Sequence, residues 1–283
     1  MSYIKSPMNY IGNKYRILEQ IEPYFPKNMG KMVDLFCGGC DVTINANATT
    51  KYANDINYHV IGIFEEMKKR GVDYVLGYID ATIKHWGLSK TNEEGYKKFR
   101  DYYNKNKYPL DLYVLMCFSF NYQFRFNNDH EYNNPFGRNR SSFNDRMRNN
   151  LVKMIPRLEN VTFSEQQFQN FDYSMLEKGD FLYADPPYLI TCGSYNDGKR
   201  GFTGWNEKEE KTLYEILDNL NKKGIKFALS NVIEHKGLQN EILIQWQRDR
   251  KYKLNYINFN YNNSNYHAKN TEKVTSEVLI TNY

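Results

Sequence analysis

A buried strand that runs into a glycine-containing turn constrains the fold of this chain more than any other feature. Residues 31–36 are predicted to form the strand, residues 37–40 the turn, residues 41–48 a helix and residues 51–55 a second strand. This order of elements opens a nucleotide-binding α/β sheet. We therefore expect an α/β protein of the Rossmann-like class.

The rest of the chain divides into a helical part and a second group of strands. Helices are predicted for residues 57–69, 93–104 and 109–121, before an asparagine-rich loop at 125–142. Strands follow at 161–163, 181–184, 225–229, 253–259 and 274–280. The loop joining the last two is too short for a crossover helix, so this pair is predicted to be antiparallel. We expect a seven-stranded, mostly parallel sheet from residues 1–56 and 160–283, with an inserted helical unit at 57–159.

Composition limits the partners of the chain. Its 283 residues are 41% hydrophobic and 25% charged, which is ordinary for a globular protein. A net charge of +5 is too mild for nucleic-acid binding by charge alone, so any such binding must be local. The sequence shows neither a signal peptide nor an apolar run of roughly 20 residues, so we expect a cytoplasmic protein without a membrane partner.

The four cysteines do not indicate a disulfide framework. Cys37 and Cys40 have the spacing of a redox motif or half of a zinc site. A second such pair or a cluster of histidines is missing from the sequence, so we expect reduced thiols and no metal.

The sequence Asp185-Pro186-Pro187-Tyr188 directly follows the predicted strand at 181–184. Ligands of open α/β sheets bind just beyond the carboxyl ends of strands. Hydrogen bonds from an aromatic amine to the Asp185 carboxylate and the Pro186 carbonyl would hold the nitrogen lone pair ready to attack. The prolines would fix this geometry, and Tyr188 would stack on a base extruded from a duplex. A rigid turn without chemistry is the alternative.

Motifs along nearly the whole chain resemble those of the α-group DNA adenine-N6 methyltransferases, the Dam-like family, in the same order. They are Asn-Tyr-Ile-Gly-Asn-Lys at 9–14, Asp-Leu-Phe-Cys-Gly-Gly at 34–39, Asn54-Asp55, Asn-Asn-Pro-Phe-Gly at 133–137, Asp-Pro-Pro-Tyr at 185–188, Ser230-Asn231 and Lys-Val-Thr-Ser-Glu-Val-Leu at 273–279. The resemblance implies methyl transfer from S-adenosylmethionine to adenine N6 in double-stranded DNA, with the target base flipped out. Such an in-line displacement needs no metal.

By the same resemblance, Gly38 and Gly39 let the backbone approach the methionine part of the cofactor, and Asp34 lies near its amino group. Asp55 accepts hydrogen bonds from the ribose hydroxyls. The other implied cofactor residues are Tyr10, Gly12, Lys14, Phe36, Phe168 and Asp185, with Lys14 also reaching the substrate base.

The sequence departs from the family at three positions in these motifs. Cys40 stands where the family commonly has a third glycine, and Asp41 where it has a small hydroxyl residue. Tyr10 replaces the usual tryptophan. The first two differences put the shape of the turn and its cofactor affinity in question, whereas the third keeps an aromatic ring.

The helical insertion falls where this family carries its target-recognition domain. Arg125 and Asn127, followed by the motif at 133–137, resemble the base-reading hairpin of enzymes that recognise GATC or a related sequence. Arg125 would then pair with guanine, and Pro135 would touch a thymine methyl group. Gln123 and Asn139 differ from common GATC readers.

Further DNA contacts are implied in the insertion. Arg138 and Arg140 are interpreted as phosphate contacts, which position the duplex without specifying its sequence. Asn121, with Phe120 and Tyr122, would fill the gap left by the flipped base, although a buried helix end explains these aromatic residues equally well. A solvated, positively charged surface is the alternative for the arginines.

Other functions fit these motifs less well or are excluded by them. A cytosine-C5 enzyme is excluded because it needs a thiolate after a proline and the chain has no Pro-Cys pair. A cytosine-N4 enzyme usually has serine in place of Asp185, and enzymes that methylate RNA or protein amides commonly have asparagine there. A catalytically inactive DNA-binding module and a nicotinamide-dependent oxidoreductase fit the motifs less well.

The sequence leaves the biological setting open. It does not distinguish a restriction-modification system from a phage enzyme or one that acts alone. It does not fix the oligomeric state either, for which we expect a monomer.

Overall fold

A twisted sheet forms the centre of the computed structural model, which describes residues 3–191, 204–258 and 275–283. Its strands are β1 (Lys31–Asp34), β2 (Thr50–Asn54), β3 (Val161–Ser164), β4 (Phe181–Ala184), β5 (Lys226–His235), β6 (Leu238–Gln239), β7 (Lys253–Ile257) and β8 (Thr275–Thr281). The order across the sheet is β3-β2-β1-β4-β5-β8-β7, and the short β6 pairs with β5. The first five strands in this order are parallel.

The predicted Rossmann-like class is confirmed by this topology, with β6 as one strand more than the seven expected. β8 is antiparallel to both β5 and β7, so the prediction for the last two strands is also confirmed. Because β1 and β4 are parallel neighbours, the segments that follow them leave the sheet at the same edge. This edge carries the glycine turn and the Asp-Pro-Pro-Tyr segment.

Eight α-helices are described. They are α1 (Leu18–Ile21), α2 (Asp41–Asn45), α3 (Tyr58–Trp86), α4 (Glu93–Asn106), α5 (Pro109–Phe118), α6 (Asp145–Met154), α7 (Glu207–Lys222) and α8 (Glu241–Arg250). Four of these begin after an asparagine whose side chain accepts a hydrogen bond from a backbone N–H of the first turn: Asn92, Asn144, Asn206 and Asn240. Such caps satisfy donors that a helix leaves free at its start.

The helical part differs from the sequence prediction at three places. α3 extends to Trp86 rather than ending near residue 69, and it passes through a kink at Gly71, whose φ of 74° and ψ of 174° are not helical. α6 was not predicted. α5 ends at Phe118 instead of residue 121, because the backbone of Ser119 is extended with a φ of −84° and a ψ of 161°. Asn121 and Tyr122 then adopt left-handed φ angles of 55° and 56°.

Alternating side chains of β4 face two separate apolar layers. Phe181 and Tyr183 pack with the layer that contains α1 and α2, and the Phe25 ring lies 4.9 Å from the Phe181 ring. Leu182 and Ala184 pack with the layer formed by α7 and α8. Because β4 is packed on both faces, its backbone position is well defined. The position of Asp185, directly after β4, is therefore well defined too.

Candidate functional site

The turn after β1 is shaped by close contact with Tyr10. Gly38 has a φ of 46°, and a Cβ atom there would lie 2.8 Å from Cδ1 of the Tyr10 ring. Only glycine fits both the left-handed backbone and this approach. Cys40 also adopts a left-handed φ of 61°, so the turn keeps the conformation that the family's usual third glycine favours. Asp41 starts α2, and one of its oxygens accepts a hydrogen bond of 2.9 Å from the Ser6 backbone N–H.

Asp34 presents a buried carboxylate oxygen at the end of β1. Its Oδ2 accepts a hydrogen bond of 2.6 Å from the Thr43 hydroxyl, whereas its buried Oδ1 has no hydrogen-bond partner among the described residues. Burial raises the pKa of this carboxyl to about 7, and the Thr43 hydrogen bond offsets only part of that effect. An unpartnered buried oxygen of this kind fits an ammonium group as its ligand.

Asn54 and Asp55 join the ends of three strands. The Asp55 carboxylate accepts hydrogen bonds from the backbone N–H groups of Gly38 at 2.9 Å and Asn57 at 2.8 Å. The Asn54 side-chain amide donates to the backbone carbonyls of Leu35 and Gln166. The structure therefore brings Asp55 beside the glycine turn, where the sequence resemblance implied a ribose-binding residue.

Three aromatic rings form a cluster next to this turn. The Phe36 ring lies 5.5 Å from Phe168 and 5.7 Å from Trp205, and the last two are 5.4 Å apart. The Trp205 indole N–H donates to the buried carboxylate of Glu210, which also accepts from Asn231 and Asn240. Phe36 and Phe168 were predicted from sequence, but Trp205 and its anchor Glu210 were not.

The Asp-Pro-Pro-Tyr segment lies in a buried network of charges and hydroxyls. The Lys14 ammonium is 2.6 Å from Asp185 Oδ2, and it donates a hydrogen bond of 2.9 Å to the Gly12 carbonyl. The Tyr188 hydroxyl lies 3.0 Å from Asp185 Oδ1 and 2.9 Å from Glu277 Oε1. Pro186 is buried and Pro187 is exposed. We call Lys14, Asp185, Tyr188 and Glu277 the catalytic cluster.

The pKa directions in the catalytic cluster follow from burial and charge. Burial raises the pKa of Asp185, and the neighbouring Lys14 ammonium opposes that rise. Burial lowers the pKa of Lys14, but Asp185 and Glu277 raise it more, so its pKa lies above the usual value. Lys14 is therefore a permanent cation at neutral pH, and it supports the ionised form of Asp185.

The predicted base-reading segment is a small hairpin. Phe126 pairs with Tyr132 in an antiparallel bridge, and Asn133 N–H donates to the Arg125 carbonyl at 3.0 Å. Phe124, Phe126 and Tyr132 point inward and are buried, whereas the alternate residues Arg125, Asn133 and Pro135 are exposed. The Asn127 side chain accepts from the backbone N–H groups of Asp129 and Glu131 and so closes the turn of this hairpin.

The other predicted DNA contacts lie beside this hairpin. The Arg140 guanidinium lies over the Phe120 ring, 5.2 Å from its centre. Arg138 forms an ion pair with Glu93. The backbone carbonyl of Asn121 accepts a hydrogen bond of 2.8 Å from the Asn9 side chain, which links the insertion to the N-terminal motif. Phe120 is 41% exposed, so this ring is available to a partner rather than buried at a helix end.

Comparison with known proteins decides the family. A model of the D12 class N6 adenine-specific DNA methyltransferases matches residues 10–275, which is most of the chain. This chain belongs to that family.

Individual relatives of this D12 family member fall into two groups. The chain is 53% identical to the type II methyltransferase M.FokI of Planomicrobium okeanokoites and 52% identical to the modification methylase StsI of Streptococcus sanguinis. These matches cover 100% and 99% of the chain but only 43% of each relative. This chain is also 26% identical to the DNA adenine methylase of Escherichia coli, and the match covers 79% of each of the two proteins. The chain thus spans less than half the length of the two more similar relatives.

Histidine, cysteine and acidic side chains and several long helices occur among the described residues of the D12 chain. Within them, the structure contains no group of three or more histidine, cysteine or acidic residues placed to hold a metal ion. Cys37 and Cys40 are buried free thiols, and burial raises the pKa of both. None of the described helices combines the length and apolar character of a membrane span.

Proposed function

We propose that this D12 chain transfers a methyl group from S-adenosylmethionine to N6 of an adenine flipped out of double-stranded DNA. The observation that carries the proposal is the position of Asp185 directly after β4, at the same edge of the sheet as Asp34, Asp55 and Gly38 after β1 and β2. A polar acceptor for an amine and polar groups that suit a methyl donor thus share one edge of the sheet.

The residues at the end of β1 fit S-adenosylmethionine. Asp34 Oδ1 would accept from the amino group of its methionine part, and Asp55 has lone pairs left for the ribose hydroxyls. Phe36, Phe168 and Trp205 offer apolar faces for the adenine ring. Once bound there, the cofactor would supply an electrophilic methyl group on a positively charged sulfur.

The catalytic cluster would prepare the target amine for attack. The Asp185 carboxylate and the Pro186 carbonyl accept hydrogen bonds from the two amine hydrogens and draw electron density toward the nitrogen. Lys14 keeps Asp185 ionised, and the Tyr188 ring offers a stacking surface for the flipped base. Buried surroundings strengthen these interactions relative to water.

DNA recognition would belong to residues 57–159, and catalysis to residues 1–56 and 160–283. We propose that Arg125 reads a guanine and that Pro135 contacts a thymine methyl group in GATC or a related sequence. Arg138 and Arg140 would hold phosphates, Asn127 would support the hairpin beside the bases, and Asn121 would enter the space left by the flipped adenine. The names of the two more similar relatives favour a role as the modification enzyme of a restriction system.

Transfer of tritium from labelled S-adenosylmethionine to duplex DNA tests this function. The wild-type chain should label adenine N6, and Asp185→Ala should lower the rate by about 100-fold or more, because a preorganised hydrogen-bond partner of the reacting group is lost. DNA affinity should change little. Asp101→Ala, which removes an exposed carboxylate on α4, is the matched control and should keep the wild-type rate. Retention of more than a tenth of the rate in Asp185→Ala would contradict the assigned role.

A further inference from the structure

Two side chains at the start of α7 are joined by a hydrogen bond. Trp205 directly precedes the capping residue Asn206, and Glu210 lies in the first turn of the helix that begins at Glu207. Side chains at these two positions, just before a helix and one turn inside it, meet across the helix start. The Trp205 indole N–H donates to Glu210 Oε2 at 2.6 Å. The local helix geometry therefore brings an aromatic ring and a carboxylate together.

The Glu210 carboxylate is completely buried, and three further donors meet its other oxygen. Oε1 accepts hydrogen bonds from the Asn231 amide at 3.0 Å, from the Asn240 amide at 3.2 Å and from the Tyr214 hydroxyl. None of these partners carries a charge. A buried carboxylate is costly unless donors occupy its lone pairs, so the four described contacts hold Glu210 in one position.

The orientation of the two asparagine amides is fixed by the backbone. Asn231 Oδ1 accepts a hydrogen bond of 2.8 Å from the Val232 backbone N–H. Asn240 Oδ1 accepts one of 3.1 Å from the Leu243 backbone N–H at the start of α8. Each amide therefore turns its NH2 group toward Glu210 and needs an acceptor there. Glu210 is thus held from β5 and from α8 at the same time.

We propose that Glu210 is a positioning residue that fixes the Trp205 ring beside Phe36 and Phe168 and so sets the affinity for the adenine part of S-adenosylmethionine. This inference rests on the proposed methyltransferase function. The Trp205 ring meets the Phe36 ring edge-on, at an angle of 83°. A ring that is already fixed loses less conformational freedom when a ligand binds. Because Glu210 is completely buried, it acts through Trp205, and the β5 motif that contains Asn231 acquires the role of holding it.

The variant Glu210→Gln tests this arrangement because glutamine has one acceptor oxygen and one donor group. If its oxygen replaces Oε1, Tyr214 and both asparagines keep their acceptor, but the new NH2 group faces the Trp205 indole N–H. If its oxygen faces Trp205 instead, both asparagine amides lose their acceptor. The first orientation keeps more hydrogen bonds, so we expect the substitution to release the Trp205 ring.

Calorimetric titration of the chain with S-adenosylhomocysteine measures the consequence. Glu210→Gln should weaken binding about fivefold or more, because binding must then order the indole ring. Trp205→Phe keeps an aromatic ring but has no N–H group to hold. In the Trp205→Phe chain, adding Glu210→Gln should change the affinity by less than about twofold, since Glu210 acts only through the indole.

Asp218 offers a matched control on the same helix. Its carboxylate accepts a hydrogen bond of 3.1 Å from the Trp246 indole N–H, and the Trp246 ring packs on Phe227 and Tyr252. Asp218→Asn therefore disturbs an indole–carboxylate pair of the same kind outside the proposed cofactor site. It should leave the affinity for S-adenosylhomocysteine within about twofold of the wild-type value.

Steady-state methylation separates positioning from a general loss of structure. Glu210→Gln should raise KM for S-adenosylmethionine about fivefold or more, while kcat and KM for duplex DNA stay within about threefold of the wild-type values. The reason is that the catalytic cluster and the hairpin at Arg125 are unchanged. A purely structural role would instead lower kcat and affect both substrates.

The Trp205 indole can also be observed directly in the wild-type chain. A sample with isotope-labelled nitrogen in its three tryptophans gives three indole N–H signals, and the Trp205 signal is the one that Trp205→Phe removes. This signal should be protected from hydrogen exchange in the free chain and should shift when S-adenosylhomocysteine binds. If Glu210→Gln does not fold, as judged by circular dichroism, an unprotected or unshifted Trp205 signal overturns the inference on its own.

The outcomes distinguish this inference from the proposed function. If the wild-type chain binds neither S-adenosylmethionine nor S-adenosylhomocysteine, or methylates no DNA, the proposed function fails. If it binds and methylates but Glu210→Gln keeps the wild-type affinity, only the role of Glu210 is overturned. The same conclusion follows if the losses of Glu210→Gln and Trp205→Phe multiply in the double variant, or if Asp218→Asn weakens binding as much as Glu210→Gln does.

Discussion

Among the residues of the candidate site, Asp34 is the one whose charge we expect to change most when an ammonium group binds next to it. Its pKa of about 7 results from burial without a counter-charge, so below pH 7 the carboxyl is mostly protonated in the free chain. An ammonium group next to Oδ1 favours the ionised form and lowers that pKa. If Asp34 holds the amino group of the proposed cofactor, binding and loss of a proton are therefore linked.

We expect the affinity for S-adenosylhomocysteine to rise about tenfold per pH unit between pH 5.5 and 7, and to level off above pH 7. The sign follows because the protonated carboxyl must lose its proton before it can pair with the ammonium group. Calorimetric titration over this range, in buffers of different ionisation enthalpy, measures both the affinity and the released proton. Asp34→Asn should bind more weakly at pH 8 and show a flat profile, whereas a flat profile in the wild-type chain would contradict the assignment.

The sequence predicted which residues belong to the candidate site better than it predicted the contacts between their side chains. Asp34 ends β1, and Asp55 and Asp185 directly follow β2 and β4, so their common edge could be inferred from parallel topology. Glu277 was noticed only as part of a motif, because its contact with Tyr188 requires that β8 lie beside β5, and sequence spacing of 89 residues does not show this. Lys14 was expected at the cofactor and within reach of the substrate base, and its ammonium lies on Asp185 in the structure.

At the scale of elements, α3 shows why the long helix was predicted too short. Apolar periodicity carries the helix up to Gly71, where the backbone leaves helical geometry and the pattern shifts. Beyond the kink the buried positions Val75 and Ile79 resume helical spacing. The spacing of apolar residues indicates a helix on each side of Gly71. That the two parts form one continuous element depends on the packing of α3 against α5 and the residues that follow α6.

Two glycines of α3 should respond oppositely to the same substitution. Gly71 has a φ of 74° with an extended ψ, a conformation almost restricted to glycine, so Gly71→Ala should destabilise the fold by about 1–3 kcal/mol. Gly77 lies in regular helix with open space around it, so Gly77→Ala should stabilise by about 0.5–1 kcal/mol. Urea denaturation followed by circular dichroism measures both. Equal effects would show that the kink does not depend on Gly71.

At the scale of the whole molecule, the proposed function requires the hairpin at Arg125 and the catalytic cluster to act on one duplex. The Asn9 side chain donates to the Asn121 backbone carbonyl, so the insertion touches the N-terminal motif that also contains Lys14. Arg125 and Arg140 are both exposed but have different surroundings. Arg125 projects from a hairpin strand, whereas Arg140 covers an exposed aromatic ring.

This difference predicts two kinds of DNA-binding defect. Arg125→Ala should cost roughly 1–3 kcal/mol on the preferred sequence and remove discrimination at one base pair, because a bidentate contact to guanine is lost. Arg140→Ala should weaken all duplexes alike and lower the slope of log affinity against log salt by about one unit. Methylation rates and affinities on duplexes varied one base pair at a time around GATC measure both effects. Uniform losses for Arg125→Ala would make it a phosphate contact.

The position of β8 has a consequence for how the chain matures during synthesis. β8 is the last described strand to be translated, yet it lies between β5 and β7, which have no hydrogen bonds to each other in its absence. A nascent chain that ends before Thr275 therefore exposes two unpaired strand edges and lacks Glu277. Catalytic competence would therefore depend on β8, and a chain stalled before this strand would be both inactive and prone to aggregate.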